Sequence, residues 1–123
     1  MISGFATSEG TKNFSTKFLR ENYNSFQNLH LSNVGIGTYL GEPDLQTDKM
    51  VKDAVKKSIM SGVNVIDTAI NYRAQKSERS IGIALSELIS ENLISREQIF
   101  ICTKNGYVTN DGDIQEDFMQ YIM

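Results

Sequence analysis

The stretch Thr47-Asp48-Lys49-Met50-Val51-Lys52-Asp53-Ala54-Val55-Lys56-Lys57-Ser58-Ile59-Met60-Ser61-Gly62-Val63-Asn64-Val65-Ile66 decides the fold class. Positions Met50, Val51, Ala54, Val55, Ser58 and Ile59 recur at the i, i+1, i+4, i+5 spacing of one helical face, while Lys49, Lys52, Lys56 and Lys57 lie largely off that stripe. Thr47 is placed to cap the helix N-terminus, with Asp48 at the positive end of its dipole. Gly62 supplies a left-handed stop. Val63 to Ile66 follows at once, a β-branched run short enough for a strand covered on both faces.

Toward the C-terminus the same pattern returns. A loop from Asp67 to Lys76 leads to a predicted helix over residues 77–91, with Ile81, Leu85, Leu88 and Ile89 as its buried stripe, then a turn around Asn92 to Arg96 and the strand Ile99-Phe100-Ile101-Cys102. Toward the N-terminus, Val34-Gly35-Ile36-Gly37-Thr38 reads as a short strand whose glycines allow close approach to the backbone, and Gly41-Glu42-Pro43-Asp44 interrupts it with turn chemistry. The order is βαβαβ, which predicts an α/β fold with a parallel sheet and helices packed on it. Residues 1–28 carry scattered aromatics (Phe5, Phe14, Phe18, Tyr23, Phe26) without a sustained period and read as an irregular N-terminal arm. Residues 29–108 form the βα body. Residues 109–123 are a polar, turn-rich tail whose closing Phe118-Met119-Gln120-Tyr121-Ile122-Met123 is apolar enough to want a partner surface.

A length of 123 residues permits one globular domain and excludes a complete (β/α)8 barrel, which takes roughly 250 residues. Apolar residues at 40% argue against disorder. Fifteen acidic against twelve basic residues, with no basic run, leave no electrostatic footprint for nucleic acid or an anionic membrane. No stretch approaches the apolar run of about 18 residues that a membrane span needs, and the polar residues 1–12 lack the core of a secretory signal. The single cysteine, Cys102, excludes an internal disulfide framework, points to a reducing compartment and reads as a small buried core residue. The expectation is a cytoplasmic protein whose partner is a small molecule or another protein.

Three polar residues stand at the C-terminal ends of predicted parallel strands, where α/β folds place their ligand sites. Asp67 ends one strand, Lys104 follows the next, and Tyr72 lies in the loop after Asp67. A free phenol has a pKa of about 10 and donates its proton poorly at neutral pH unless a nearby positive charge stabilises the anion. Lys104 can supply that charge, with Asp67 keeping it protonated and in place. The trio then forms a general acid aimed at a carbonyl oxygen that gains negative charge as hydride reaches its carbon. A rival reading takes Gly35-x-Gly37-x-x-x-Gly41 as a dinucleotide fingerprint with Asp67 on a ribose. That fingerprint requires the helix to begin within the glycine run, and Glu42-Pro43-Asp44 intervenes here. His30 precedes the first strand and reads as an exposed or hairpin histidine without a role.

Taken in order, Val34-Gly35-Ile36-Gly37-Thr38-Tyr39, the run from Gly62 to Tyr72 with Asp67-Thr68-Ala69 at its centre, Ser77-Glu78-Arg79-Ser80-Ile81-Gly82 and Thr103-Lys104 resemble the N-terminal part of an aldo/keto reductase, from about residue 30 to 107. The resemblance implies a partial TIM (β/α)8 barrel of about the first three βα units. It also implies NADP(H) held without a Rossmann domain, and reduction of aldehydes or ketones by hydride transfer. Under it, Tyr72 is the general acid, Lys104 stabilises its anion and Asp67 pairs with the lysine. Gly37, Thr38 and Tyr39, with Asp67, lie near the nicotinamide end of the cofactor, and no metal is involved. Glu78 matches a glutamate that opens the second helix, where helix-dipole stabilisation suffices, and Gly82 allows close helix packing. The family's catalytic histidine on the next strand and its later cofactor loops have no counterpart in this sequence. Three strands of a barrel leave two open edges, so a complementing chain or self-association through those edges is expected. The alternative is a non-catalytic binding or regulatory protein, or an inactive remnant of the family.

Overall fold

In the computed structural model, which describes residues 1–114, the chain runs through α1 (Ser8–Ser15), β1 (Tyr23–Phe26), β2 (Leu29–Ser32), β3 (Ile36–Gly37), α2 (Leu45–Met60), β4 (Val65–Asp67), α3 (Lys76–Ser90) and β5 (Phe100–Cys102). The order βαβαβ is present from β3 onward. Strands β3, β4 and β5 lie side by side and parallel, with Ile36 opposite Ile66, and Asp67 opposite both Gly37 and Cys102. This is an α/β arrangement consistent with part of an aldo/keto reductase fold, and no closed barrel forms among the described residues. Val55 and Ile59 of α2, Ile81, Ala84, Leu85 and Leu88 of α3, Ile66 of β4, and Ile94 and Ile99 build the core, which Phe14 of α1 joins from outside the sheet.

Both long helices form as their periodicity predicts, with shifted ends. Asp44, rather than Thr47, caps α2: its Oδ1 accepts from the Thr47 amide at 2.7 Å, a bond that also lowers the Asp44 carboxyl below its ordinary pKa. Gly62 adopts φ +106°, the left-handed stop. The apolar stripe of α2 is narrower than the sequence suggests, since Val55 and Ile59 are buried while Met50 is 62% exposed and Ala54 is exposed. The cause is position: α2 leans on α3, through Lys52 and Lys56 to Glu87, and its other flank borders the open edge of β3. Cys102 is likewise exposed rather than a core residue, because β5 is an edge strand with no described neighbour on its far side.

The N-terminal arm is not irregular. Thr7 caps α1, accepting from the Gly10 amide at 2.9 Å, and the helix buries Gly10, Thr11 and Phe14. A helix of eight residues with one large apolar side chain leaves little periodicity to read. Its docking depends on close backbone approach, since a Cβ on Gly10 would lie 2.4 Å from the Glu97 carbonyl oxygen. Strands β1 and β2 form an antiparallel hairpin that crosses the proposed boundary at residue 28. Its turn residues Gln27 and Asn28 both have positive φ, as a two-residue hairpin turn demands, although neither is glycine. His30 sits in β2. Phe14, Phe18 and Tyr23 cluster under the sheet with ring centroids 5.3 to 6.5 Å apart, and Tyr23 donates from its hydroxyl to the Gly62 carbonyl at 2.6 Å.

Fully buried Asn64 ties this hairpin to the sheet. Its side-chain amide donates to the carbonyls of His30 (2.9 Å) and Gln98 (3.3 Å), its Oδ1 accepts from the Ser32 amide (2.8 Å), and its own amide donates to the Ser32 hydroxyl (3.1 Å). Strand β4 starts two residues later than the predicted Val63, at Val65, directly after this anchor.

Beyond β5 the chain folds back on the loop before α3. Gly112 donates its amide to the Ala74 carbonyl (2.8 Å), Gln75 donates to the Asn110 carbonyl (3.0 Å), Lys76 pairs with Asp113 (2.6 Å), and Arg79 pairs with Asp111 and Asp113. The closing apolar run from Phe118 lies outside the described residues. The Arg79 guanidinium holds Asp111 down to a pKa of about 2. A carboxyl depressed by folding stabilises the folded state above its ordinary range and loses that contribution as pH falls through the folded value. The 110–113 strap is therefore expected to detach between about pH 4 and pH 2, read as a shift of the Gly112 amide resonance. A Gly112 resonance constant down to pH 2 would contradict the pairing. Among the described residues, no helix is long and apolar enough to cross a membrane.

Candidate active site

The register of the parallel sheet brings the ends of β3, β4 and β5 to one edge, and backbone bonds continue the ladder past the strands. The Thr68 amide donates to the Cys102 carbonyl (2.8 Å) and the Ile70 amide to the Lys104 carbonyl (3.0 Å). The loop carrying Tyr72 is thus drawn across the sheet end toward Lys104. On the other side the Thr38 amide and hydroxyl both donate to the Asp67 carbonyl at 3.1 Å, and the Thr38 carbonyl accepts from the Ser77 hydroxyl at 2.6 Å.

Asp67, Tyr72 and Lys104 meet there. The Lys104 ammonium donates to Asp67 Oδ1 at 2.9 Å and to the Thr68 carbonyl at 2.7 Å. It stands 5.0 Å from the centroid of the Tyr72 ring, within cation–π range. The edge of one tyrosine meets the other where Tyr39 packs on Tyr72, centroids 5.0 Å apart and planes at 70°. The Asp67 hydrogen bond, followed by Tyr72, raises the Lys104 pKa above its ordinary value, so the ammonium stays charged at neutral pH and its pairing is lost only as pH rises past that raised value.

Gly37, Thr38, Tyr39 and Asp67, together with Ile36, Leu40, Val51 and Ala54, line one recess of about 250 Å³. A Cβ on Gly37 would meet nothing within 4 Å, so a ligand can approach the backbone there. The Thr38 hydroxyl is already engaged by Asp67.

Sequence reasoning missed two features. Glu78 does more than favour the helix dipole: its Oε1 accepts from the Thr103 hydroxyl at 2.5 Å, fastening the segment that precedes Lys104. Immediately after Tyr72, Arg73, Ala74 and Gln75 all adopt positive φ (50°, 52° and 75°). Each such non-glycine residue costs about 1–2 kcal/mol, and such strain persists where the surroundings impose it. Only the burial of Arg73 and Lys76, which a polar loop does not advertise, signals what imposes it.

The family model described as Aldo/keto reductase family matches residues 33–120. Aldose reductase B of Dictyostelium discoideum is 40% identical over 75 residues, covering 61% of this chain and 22% of the relative. The NAD(P)H-dependent 6'-deoxychalcone synthase of Glycine max is 33% identical over 81 residues (66% of this chain, 24% of the relative), and aldo-keto reductase family 1 member D1 of Rattus norvegicus is 35% identical over 71 (58% and 20%). The chain therefore spans about a quarter or less of the length of these relatives. Its residues 33–120, carrying the parallel strands and the Asp67, Tyr72 and Lys104 cluster, place it in the aldo/keto reductase family.

Proposed function

We propose that the chain carries the proton-donor part of an NADP(H)-dependent carbonyl reductase whose complete form is a (β/α)8 barrel. The observation that carries this reading is the Lys104 ammonium, hydrogen-bonded to Asp67 and set against the Tyr72 ring. Bound NADPH supplies the hydride for the carbonyl carbon. Tyr72 gives its phenolic proton to the substrate oxygen as negative charge builds there, and Lys104 stabilises the phenolate left behind. Asp67 holds the lysine charged and fixes its direction. Gly37 and Tyr39 border the space for the nicotinamide ring, and Thr38 positions Asp67 from beneath.

NADPH fluorescence titration and aldehyde-dependent loss of NADPH absorbance test this reading. A polypeptide that joins this chain to the remaining strands of the family is expected to bind NADPH saturably and consume it with an aldehyde. The 123-residue chain, whose recess beside Gly37 and Asp67 measures only about 250 Å³, is expected to show negligible affinity. A joined protein that folds, binds NADPH and reduces no carbonyl would sink the reading.

A further inference from the structure

We infer that Arg73 is a positioning residue that holds the Tyr72 phenol against Lys104, a role that rests on the reading of Tyr72 as the proton donor. Three successive non-glycine residues in the left-handed region do not form from local preference. Something must impose them, and the Arg73 side chain is placed to do so. It is fully buried. Its Nε donates to the Glu42 carbonyl at 3.0 Å, and its Nη2 donates to Asp48 Oδ1 at 2.5 Å and to the Asp44 carbonyl at 3.4 Å. One planar fork thus grips the turn before α2 and the first turn of the helix itself, a pattern that suits guanidinium and that a lysine reproduces only in part.

Adjacent positions therefore go to different anchors, Arg73 to the start of α2 and Tyr72 to Lys104 and Tyr39. Since the two residues are consecutive, and Arg73 opens the left-handed turn of residues 73–75, the position of one constrains the other. Lys76 reinforces the grip by pairing with the second oxygen of Asp48 at 3.0 Å, and the Ala74 carbonyl takes the Gly112 amide. The Arg73 Nη1 is buried without an acceptor among the described residues.

The test uses the full chain and needs neither cofactor nor turnover. With isotope-labelled protein, cross-relaxation between the Tyr72 ring protons and the Lys104 side-chain methylenes is measured, the ring assigned from the signal lost in Tyr72→Phe. Wild type is expected to show the cross-peak. Arg73→Ala is expected to lose it while the amide resonances of Ile66 and Leu88 stay in place, and Arg73→Lys to recover it in part. Where Arg73→Ala fails to fold, Asp48→Asn removes the charged partner of the fork without opening a cavity and is expected to weaken the same cross-peak. An unchanged cross-peak in the folded Arg73 or Asp48 variants overturns the inference, as does its absence from the wild type. Loss of the cross-peak only together with movement of the core amides reduces Arg73 to a fold-stabilising residue and also overturns it. The proton-donor reading fails separately, through a completed enzyme that keeps its rate without the phenol.

Discussion

Replacing Tyr72 with phenylalanine in the completed enzyme is expected to lower kcat by roughly 10²–10⁴-fold, the usual contribution of a positioned general acid. The substitution removes one oxygen and leaves the ring, so the edge-on contact with Tyr39 is retained. Lys104 keeps its bonds to Asp67 and to the Thr68 carbonyl, and the local charge is unchanged. NADPH affinity should therefore move little, because the recess beside Gly37 and Asp67 does not include Tyr72. This split between rate and binding identifies a group that acts in the transition state rather than in the ground state. A kcat within a factor of about two of the unmodified enzyme would dismiss Tyr72 as the acid. Equal losses in rate and cofactor binding would instead point to a collapsed loop.

What the sequence disclosed and what it concealed follow from how local each feature is. Asp67 and Lys104 were legible because a parallel strand fixes where its C-terminal residue stands, and the strand-helix periods from Thr47 to Cys102 fixed the strands. Tyr72 came with them because its loop joins β4 to α3. Cys102 misled, since its apolar neighbours suggested a core strand and only the sheet order shows that β5 is an edge. Helix α1 was hidden for a similar reason. Its docking turns on the absence of a Cβ at Gly10 against the Glu97 backbone, a contact across most of the chain that no window of sequence reveals. Arg73 draws no reading of its own from the sequence beyond its place in the loop from Asp67 to Lys76. Its burial depends on carbonyls of Glu42 and Asp44 that become available only when the turn before α2 folds beside it.

Asn64→Ala is the substitution expected to cost the fold most. Asn64 is wholly buried, and its side chain is the bridge between the N-terminal hairpin and the sheet, reaching β2 at His30 and Ser32 and the segment before β5 at Gln98. Truncation leaves the Ser32 amide and the His30 and Gln98 carbonyls without these partners and opens a space between the two layers. A buried polar group stripped of its partner costs about 1–3 kcal/mol. Even with relaxation and entry of water, a loss on the order of 3 kcal/mol is expected. For a domain of this size that lowers Tm by roughly 10 °C or more. Asn33→Ala serves as the contrast, because Asn33 makes its side-chain bonds to Asn24 and the Glu21 carbonyl at the exposed surface. Its loss should stay within about 1 kcal/mol. Thermal melts followed by circular dichroism decide the matter. Equal Tm changes in the two variants would show that the hairpin is held by the Phe14, Phe18 and Tyr23 cluster instead of by Asn64. The distinction bears on the site as well, since Asn64 immediately precedes the strand that ends at Asp67. A sheet loosened at the Asn64 end must also lose definition where Lys104 meets the carboxylate.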